Sequence, residues 1–329
     1  MKPATIRDVA DAAAVSVAAV SRVLNDGPVA EATRARVLDA IERLDYRPRT
    51  AARELRAARP STLGLVLADL ANPFFAQLAD RIVWEARARG AQVVLLTTRE
   101  DARFEDEAIQ ALSSRRVAGV IATPTAANSP AWSRLAELGT RLVFVDRAVE
   151  GVAADRVGIE NEAITYEATS RLLALGHVRV GIVAGPEASS TGRERVQGYR
   201  RALADHGVAL DTALVRYAPF RGDEGADAVG ALLALPDPVT ALLIANTAQS
   251  AACARRLRQA GIAVPEAVSV IVFGDEPWTE LYDPPMTVVR QPVAMLATHA
   301  VELALRETGD PVEVRAAATL VERSSVRAR

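Results

Sequence analysis

The sequence has few of the residues that most often build catalytic and metal sites. Its single cysteine, Cys253, excludes an internal disulfide bond and a cysteine-rich zinc site, and is expected to be a buried helix residue. The three histidines, His177, His206 and His299, are far apart and lack the spacing of metal ligands. We find no Gly-x-Ser-x-Gly motif, no phosphate-binding glycine loop and no paired carboxylates. An enzyme therefore has no support, and we expect neither a metal nor a cofactor.

Long apolar runs are also missing. No stretch reaches the roughly 18 apolar residues that a membrane-spanning helix needs. No basic flank followed by an apolar run marks the start of the chain. We therefore expect a cytoplasmic protein without a membrane partner.

Aromatic residues make up only 4% of the 329 residues, whereas hydrophobic residues as a whole make up 50% and charged residues 24%. This composition is typical of a globular protein with an alanine- and valine-rich interior. The chain is too long for one ordinary domain, so we expect two or three cores.

Charge is divided unevenly along the chain. Residues 1–60 hold eleven Lys and Arg against eight Asp and Glu, a net charge of +3. The remaining residues hold 28 against 33, a net charge of -5, which gives the overall charge of -2. A basic end on an acidic body suits a protein that docks one end on phosphates.

Residues 5–45 show the pattern of three short helices. Thr5 followed by Asp8 forms a capping box, and Ser16 is the predicted cap of the second helix. The third helix, about residues 31–44, follows Ala30, whose side chain cannot cap an amide. The apolar residues predicted to share one small core are Ile6, Val9, Ala10, Ala13, Val20, Val23, Leu24, Val37, Leu38, Ile41 and Leu44.

From Thr62 onward, apolar strands alternate with amphipathic helices. The predicted strands are TLGLVLADL, QVVLLTT, VAGVIATP, RLVFVDR, VRVGIVAGP, ALVRYAPF, VTALLIAN and VSVIVFGD. Such strands predict parallel sheets covered by helices on both faces. Because the strands are too many for one comfortable sheet, we predict two doubly wound lobes with a ligand cleft at the carboxyl ends of the strands.

The segments TIRDVADAAAVSVAAVSRVLN and PVAEATRARVLDAIERLDYRP resemble, residue by residue, the helix-turn-helix headpiece of the lactose-repressor (LacI/GalR) family. In such a headpiece a tight turn holds two helices at a fixed angle, and the second helix enters the major groove of DNA. The resemblance implies a DNA-binding surface formed by Thr5, Ser16, Val17, Ala18, Ser21, Arg22 and Asn25.

The chemistry of these side chains suggests their roles. Arg22 is the one long donor of the outward face, so it is our candidate for a bidentate contact to guanine. Val17 and Ala18 offer apolar contact to thymine methyl groups, and the hydroxyl and amide side chains suit phosphate oxygens. Ala14 stands where the family usually has glycine, which strains the turn if this residue needs a positive φ.

Residues 47–61, rich in Arg and Ala, form a predicted linker that orders only against a partner. The linker follows Tyr46-Arg47-Pro48 and resembles the family's hinge, a short helix that inserts a leucine from each subunit into the minor groove. Leu55 occupies this position, while Arg49 and Glu54 depart from the family pattern.

Residues 62–325 resemble the core of the same family, which shares its fold with periplasmic sugar-binding proteins. The markers include residues 69–75, 175–177, 185–186, 195–199, 264–265, 283–287 and 290–292. The resemblance implies a cleft at the strand ends, lined by Phe74, Asp146, Arg195, Phe220, Asn246 and Asp275. Acids, an amide, an arginine and aromatic faces suit a polyol. For the two phenylalanines, core packing is an alternative role.

Two substitutions remove carboxylates from the family's cleft. The family's Gly-Phe-Asp-Asp is here Val272-Phe273-Gly274-Asp275, and its Asn-Asp pair is here Asn246-Thr247. The first aspartate of the former motif is usually a ligand contact. We therefore expect a ligand that is not bound in the common sugar manner, and a simple hexose stays an open question.

The predicted fold is α/β: an N-terminal three-helix helix-turn-helix headpiece and a periplasmic-binding-protein-like core of two doubly wound parallel-sheet lobes. The boundaries are 1–46 for the headpiece, 47–61 for the linker with its hinge helix and 62–329 for the core. The N-lobe spans about 62–158 and 291–320, and the C-lobe about 159–290 with the C-terminal segment.

The predicted function is sequence-specific regulation of transcription, with repression as the default, controlled by a small effector such as a sugar or related metabolite. A homodimer on palindromic double-stranded DNA is expected, because two-fold pairing doubles the few base contacts of one headpiece. A solute- or sugar-binding receptor is the alternative, but it would need an export signal and no headpiece. Whether the effector releases or promotes DNA binding stays open.

Overall fold

Residues 4–24, 27–46, 62–115, 117–125 and 129–329 are described by the computed structural model of the chain. The chain divides into two units, residues 1–60 and 61–329. Within the described ranges, no helix is long and apolar enough to cross a membrane.

The first unit contains α1 (Ile6–Ala12), α2 (Val17–Leu24) and α3 (Glu31–Arg43). The predicted capping box is confirmed: the Asp8 amide donates to Thr5 Oγ1 at 3.3 Å, and the Thr5 amide donates to Asp8 Oδ2 at 2.7 Å. Ser16 Oγ accepts from the amide of Ala19 at 3.2 Å and caps α2. Ala30 precedes α3 without a side-chain cap, as its methyl group requires.

A core of small side chains holds the three helices together. Val9, Val20 and Val37 are fully buried, and Ala40 fills the space beside them. The expectation that Leu38 faces this core is wrong, because its side chain is 53% exposed. At 3.6 residues per turn, Leu38 lies about 100° around α3 from Val37, outside the buried stripe. Leu44, also expected in this core, is 36% exposed.

The turn between α1 and α2 contains a strained residue. Ala14 adopts a φ of 49°, in the left-handed region that favours glycine. The next amide, of Val15, donates to the carbonyl of Ala10 at 3.0 Å, which pins the turn in this conformation. The sequence-based concern about Ala14 is thus confirmed, and the strain amounts to about 1 kcal/mol.

The second unit contains two six-stranded sheets. The first sheet is formed by β1 (Thr62–Leu67), β2 (Gln92–Thr97), β3 (Gly119–Ala122), β4 (Leu142–Val145), β5 (Asp155–Ile159) and β11 (Glu313–Ala316). The second is formed by β6 (Val180–Ala184), β7 (Val215–Tyr217), β8 (Ala241–Ala245), β9 (Ser269–Phe273), β10 (Thr287–Arg290) and β12 (Thr319–Val321). Their orders are β11-β5-β4-β3-β1-β2 and β12-β10-β9-β8-β6-β7.

All paired strands run parallel except β12, which is antiparallel to β10. The helices are α4 (Pro73–Ala88), α5 (Ala102–Ser113), α6 (Ser129–Glu137), α7 (Asn161–Ala174), α8 (Ser190–Asp205), α9 (Glu224–Leu233), α10 (Thr247–Gln259), α11 (Pro277–Leu281) and α12 (Val293–Ala304). α4, α5 and α12 pack on the first sheet, and α7, α8, α9 and α10 pack on the second. The two lobes are therefore doubly wound, as predicted.

The chain crosses between the lobes three times: after β5 at Glu160, after β10 at Gln291 and Pro292, and between β11 and β12 at residues 317–318. Each crossing leaves a strand at its carboxyl end. The carboxyl ends of both sheets therefore lie at the boundary between the lobes, which is where ligands bind in open parallel sheets.

Sequence patterns missed some elements of the sheets. In β5 buried residues alternate with half-buried ones, starting at the buried Asp155, so the segment lacks the continuous apolar run of its neighbours. β2 was predicted as a strand, but its place at the edge of the sheet, where Leu95 is 38% exposed, was not. Edge position and pairing partners are tertiary properties, which periodicity alone does not reveal.

Replacing Ala14 by glycine should stabilise the headpiece by up to about 1 kcal/mol, because glycine adopts the positive φ without strain. Native-state hydrogen exchange of the amides of α1 and α2 in the full-length chain measures this locally. Ala13→Gly is the control and should speed exchange, since Ala13 has an ordinary φ of -88° and a buried methyl group. Faster exchange in Ala14→Gly would contradict the strain.

Candidate functional site

The outward face of α2 is formed by small side chains and one arginine. Ser16, Val17, Ala18 and Arg22 are exposed, and Ser21 is half-buried. The opposite face is anchored by the buried valines of the core. Small side chains let a helix approach base edges closely, so that a long side chain projecting beyond them reaches furthest into a groove.

The chain after α2 packs against the stem of Arg22. The amide of Gly27 donates to the Arg22 carbonyl at 2.8 Å, and a Cβ on Gly27 would lie 3.4 Å from Cβ and Cγ of Arg22. Arg34 Nη2 donates to the carbonyl of Gly27 at 3.1 Å. The aliphatic part of Arg22 thus rests on fixed backbone, which lowers the entropy cost of presenting its guanidinium.

Two of the predicted DNA-binding residues, Asn25 and Leu55, lie outside the described residues. The Thr5 hydroxyl is engaged at the start of α1, where Oγ1 lies 2.7 Å from Asp8 Oδ2. Thr5 is exposed. Its contact to a phosphate stays a prediction.

In the core, five of the six predicted cleft residues line one cavity between the lobes. These are Phe74, Asp146, Arg195, Phe220 and Asn246. The cavity measures about 20 Å³, and larger cavities of about 130 and 200 Å³ adjoin it on either side. The 130 Å³ cavity shares Asp146 with the central one, and the 200 Å³ cavity shares Phe74 with it, so the three cavities lie next to one another at the strand ends.

Arg195 is held rigidly in α8. Its Nε donates to Asn161 Oδ1 at 2.8 Å, its Nη1 donates to the Ala245 carbonyl at 3.1 Å, and its guanidinium lies 4.3 Å from the ring centroid of Phe273. Burial lowers the pKa of Arg195 to about 10, against the opposing charge of Asp146. The group remains a cation at neutral pH, with a fixed direction into the cleft.

Asp146 follows β4 with a φ of 70°, a conformation that aspartate tolerates better than most residues. Burial raises the pKa of its carboxyl group, and the charges of Arg195 and Arg147 counteract part of that rise. The cleft therefore places an acid and two cations close together.

Arg147 joins the two lobes. Its Nη1 and Nη2 donate to the two carboxylate oxygens of Glu100 at 2.9 and 2.6 Å, and its guanidinium lies 5.8 Å from the ring centroid of Phe75 and 4.5 Å from that of Phe220. A Cβ on Gly185 would lie 2.6 Å from the Phe220 ring. Phe220 is thus packed between a glycine backbone and a cation, so both of its predicted roles remain possible.

Several polar contacts also span the lobes, among them an ion pair at 3.0 Å between Arg315 of β11 and Glu194 of α8. Arg221 of the C-lobe forms an ion pair with Asp69 of the N-lobe at 3.2 Å. Ser190 Oγ accepts from the amide of Ala148 at 3.2 Å. The central cavity by itself has room for about one water molecule, so a larger ligand needs the neighbouring cavities or a more open arrangement of the lobes.

Asp275 differs from the other predicted residues. It lines the 200 Å³ cavity rather than the central one, and its carboxylate binds Arg290 at 2.5 Å and Arg323 at 2.7 Å. These arginines hold the pKa of Asp275 below its usual range, although burial acts to raise it. Its role toward a ligand stays a prediction.

Sequence reasoning missed several residues of the cleft. Arg147, Thr191 and Gln291 line the central cavity, and Glu276 lines the neighbouring one. Arg147 and Gln291 lie within two residues of the ends of β4 and β10, so their strand-end positions could have identified them. Among the described residues, no group of three or more His, Cys, Asp or Glu could hold a metal ion.

Comparisons with known proteins agree with both units. A family model described as "Bacterial regulatory proteins, lacI family" matches residues 5–49, and one described as "Periplasmic binding proteins and sugar binding domain of LacI family" matches residues 60–307. The transcriptional regulator CelR of Thermobifida fusca is 35% identical over 320 residues, 94% of this chain and 93% of that protein.

Solved structures give the same result. A CelR–cellobiose complex is 33% identical with a TM-score of 0.75 and covers 98% of this chain and 100% of that one. A lac repressor dimer bound to operator and an anti-inducer is 26% identical with a TM-score of 0.85, covering 99% and 100%.

These relatives are regulators rather than enzymes, as the sequence predicted. The headpiece match disfavours the alternative of a receptor without DNA activity. The chain therefore belongs to the LacI family of bacterial regulatory proteins, and it is a DNA-binding transcription regulator with a periplasmic-binding-protein-like core.

Proposed function

We propose that this regulator is a cytoplasmic repressor that binds a palindromic operator as a homodimer and responds to a carbohydrate or related polyhydroxylated metabolite in the cleft. The observation that carries the effector class is the convergence of Asp146, Arg195 and Asn246 on one cavity between the lobes. An acid, a guanidinium and an amide supply both donors and acceptors, which hydroxyl groups can match in either sense. The similarity to a cellobiose complex supports this class.

On DNA, Arg22 reads a guanine while Val17 and Ala18 contact thymine methyl groups. Thr5, Ser16, Ser21 and Asn25 contact phosphates, and Leu55 enters the minor groove between the two subunits. The support is the exposed face of α2, on which Arg22 alone among the described residues has the length for bidentate contact.

Dimerisation is supported by the exposed face of α4. Val83 is 44% and Trp84 is 64% exposed, which is unusual for large apolar side chains. Asp80 and Arg87 lie on the same face, three to four residues before and after this pair. In a two-fold arrangement of antiparallel helices, Asp80 would face Arg87 of the partner subunit around the apolar centre. Such a face is complementary to itself.

The effector acts through the lobes. An effector that binds one lobe arrangement better than another shifts the population toward that arrangement by its differential affinity. Residue 62, where β1 begins, belongs to the N-lobe, so a change in the N-lobes of a dimer changes the distance between the two linkers. DNA affinity then follows the state of the cleft.

Arg22→Ala should reduce discrimination between operator variants by about 1–3 kcal/mol, because a bidentate base contact is lost. Binding of full-length protein to an operator and its single-base variants, at fixed salt, measures this. Arg36→Ala removes an exposed arginine from α3 and should lower affinity uniformly or not at all. Unchanged discrimination in Arg22→Ala would remove its base-reading role.

Trp84→Glu should convert the dimer into monomers, because it places a charge at the centre of the apolar face. Analytical ultracentrifugation measures the mass in solution. Leu138→Glu serves as the control, since Leu138 is 71% exposed on another surface. A Trp84→Glu protein that remains a dimer would contradict the proposed interface.

Arg195→Lys should weaken carbohydrate binding by roughly tenfold or more, since a lysine keeps the charge but not the guanidinium fork. Isothermal titration with cellobiose and common hexoses and pentoses provides the measurement. Arg200→Lys on the exposed side of α8 is the matched control and should bind as the unaltered protein does. Equal affinities for both variants would exclude Arg195 from the effector site.

A further inference from the structure

Position 274, directly after β9, has a backbone conformation and surroundings that favour glycine in this chain. Gly274 has a φ of 96°, which L side chains rarely adopt. A Cβ at this position would lie 2.6 and 2.7 Å from the two carboxylate oxygens of Glu276 and 2.7 Å from Cγ2 of Thr247. The volume that a side chain on residue 274 would occupy is therefore filled by the carboxylate of Glu276.

Glu276 occupies this place with only part of the hydrogen bonding that a buried carboxylate needs. Its side chain is 6% exposed, and its Oε2 has no hydrogen-bond partner. Although Glu276 stands at the start of α11, it makes no capping bond there. The neighbouring Asp275, by contrast, is neutralised by Arg290 and Arg323. Of two adjacent acids, one completes an ion-pair network and the other faces the cleft.

The surroundings of Glu276 belong to both lobes. Phe74 and Gln77 of α4 line the same 200 Å³ cavity, together with Gln291 at the crossing after β10. Thr247, which begins α10, touches the same space from the end of β8. Both positions at which this chain lacks the family's carboxylates, Gly274 and Thr247, thus adjoin this one carboxylate.

A second acceptor without a partner lies nearby, at the end of the adjacent strand β8. Asn246 directs Nδ2 toward the carbonyls of Ala218 and Pro219, each at 3.4 Å. This fixes the orientation of the amide and turns Oδ1, which is buried and has no partner, the other way. Buried acceptors without donors cost free energy, so the cleft holds two acceptors that a bound molecule could satisfy.

We propose that Glu276 is an effector-binding residue that supplies the carboxylate absent at Gly274, and that the effector presents donor groups, hydroxyl or ammonium, to Glu276 and Asn246. This inference rests on the proposed carbohydrate-class function and narrows it. An effector whose only polar groups at this end were phosphate or carboxylate would meet an acid and an acceptor oxygen, both of which repel it.

The test is isothermal titration of the full-length dimer with a fixed panel: cellobiose, D-glucose, D-galactose, D-ribose and D-glucosamine. The unaltered protein should bind at least one member, and Glu276→Gln should weaken that binding by roughly tenfold or more, because a charge-assisted hydrogen bond becomes a neutral one. Glu266→Gln, an exposed glutamate of the same lobe, should have no effect.

The outcomes separate the two proposals. If the unaltered protein binds a panel sugar and Glu276→Gln binds it equally well, the role of Glu276 is overturned while the proposed effector class stands. If the unaltered protein binds no panel member, both fall. A larger loss for D-glucosamine than for D-glucose assigns the donor as an ammonium group, and equal losses assign it as a hydroxyl group; both results support the inference.

A pH profile distinguishes binding from mere packing. Burial raises the pKa of Glu276 to about 7, and the charge of Asp275 adds to the rise. Apart from Asp275 with Arg290 and Arg323, the side chains that face it, Phe74, Gln77, Gln291 and Thr247, do not titrate. Because the ionised form is the better acceptor, sugar affinity should increase between about pH 6 and 8.

In Glu276→Gln this increase should disappear, whereas titration of Asp146 affects both proteins alike. A profile that is unchanged by the substitution would overturn the inference.

The melting temperature of the variant shows whether it remains folded. A carboxyl group whose pKa is raised in the folded state destabilises the protein as pH rises through the window between its unfolded and folded pKa values. Above about pH 7, Glu276→Gln should therefore melt at a higher temperature than the unaltered protein, and below about pH 4 the two should melt alike. A lower melting temperature at high pH would contradict the buried carboxylate.

Discussion

The geometry of parallel strands is the constraint on which the core depends. Each sheet brings the carboxyl ends of its parallel strands to one edge, and three crossings of the chain set these two edges against each other. The polar and aromatic residues that line the cleft mostly follow a strand or lie in the first two turns of a helix at that boundary. The polar groups are gathered there because backbone topology leaves loops and helix starts at the edge, while the central strands β1, β3, β4, β6, β8 and β9 are largely apolar.

The headpiece fixes the directions of its helices with a much smaller core. Four valines and three alanines form its core, so the helices approach closely and the angle between α1 and α2 is fixed by contact between small groups. The strain at Ala14 is tolerated because the turn sets this angle. A groove-reading helix needs a defined direction more than it needs a large stabilising core.

Much of this architecture could be predicted from the sequence, since continuous apolar runs locate strands and the order of elements implies parallel sheets. β5 was missed because Asp155 and Arg156 interrupt its apolar character. The convergence of Phe74, Asp146, Arg195, Phe220 and Asn246 was predictable from strand ends and family resemblance. The pairing of Asp275 with Arg323 was not predictable, because Arg323 lies 48 positions away along the chain. The placement of the Glu276 carboxylate beside Gly274 was not predictable either.

The sandwich of Arg147 between Phe75 and Phe220 has a consequence for how the lobes respond to their occupant. Arginine keeps its charge at any physiological pH, so this bridge is insensitive to acidity and can be weakened only by competition. A guest with a flat apolar face would contend with the guanidinium for the same aromatic surface. Contact between the lobes and contact with the guest then compete for the same aromatic rings. The strength of each contact therefore depends on the other.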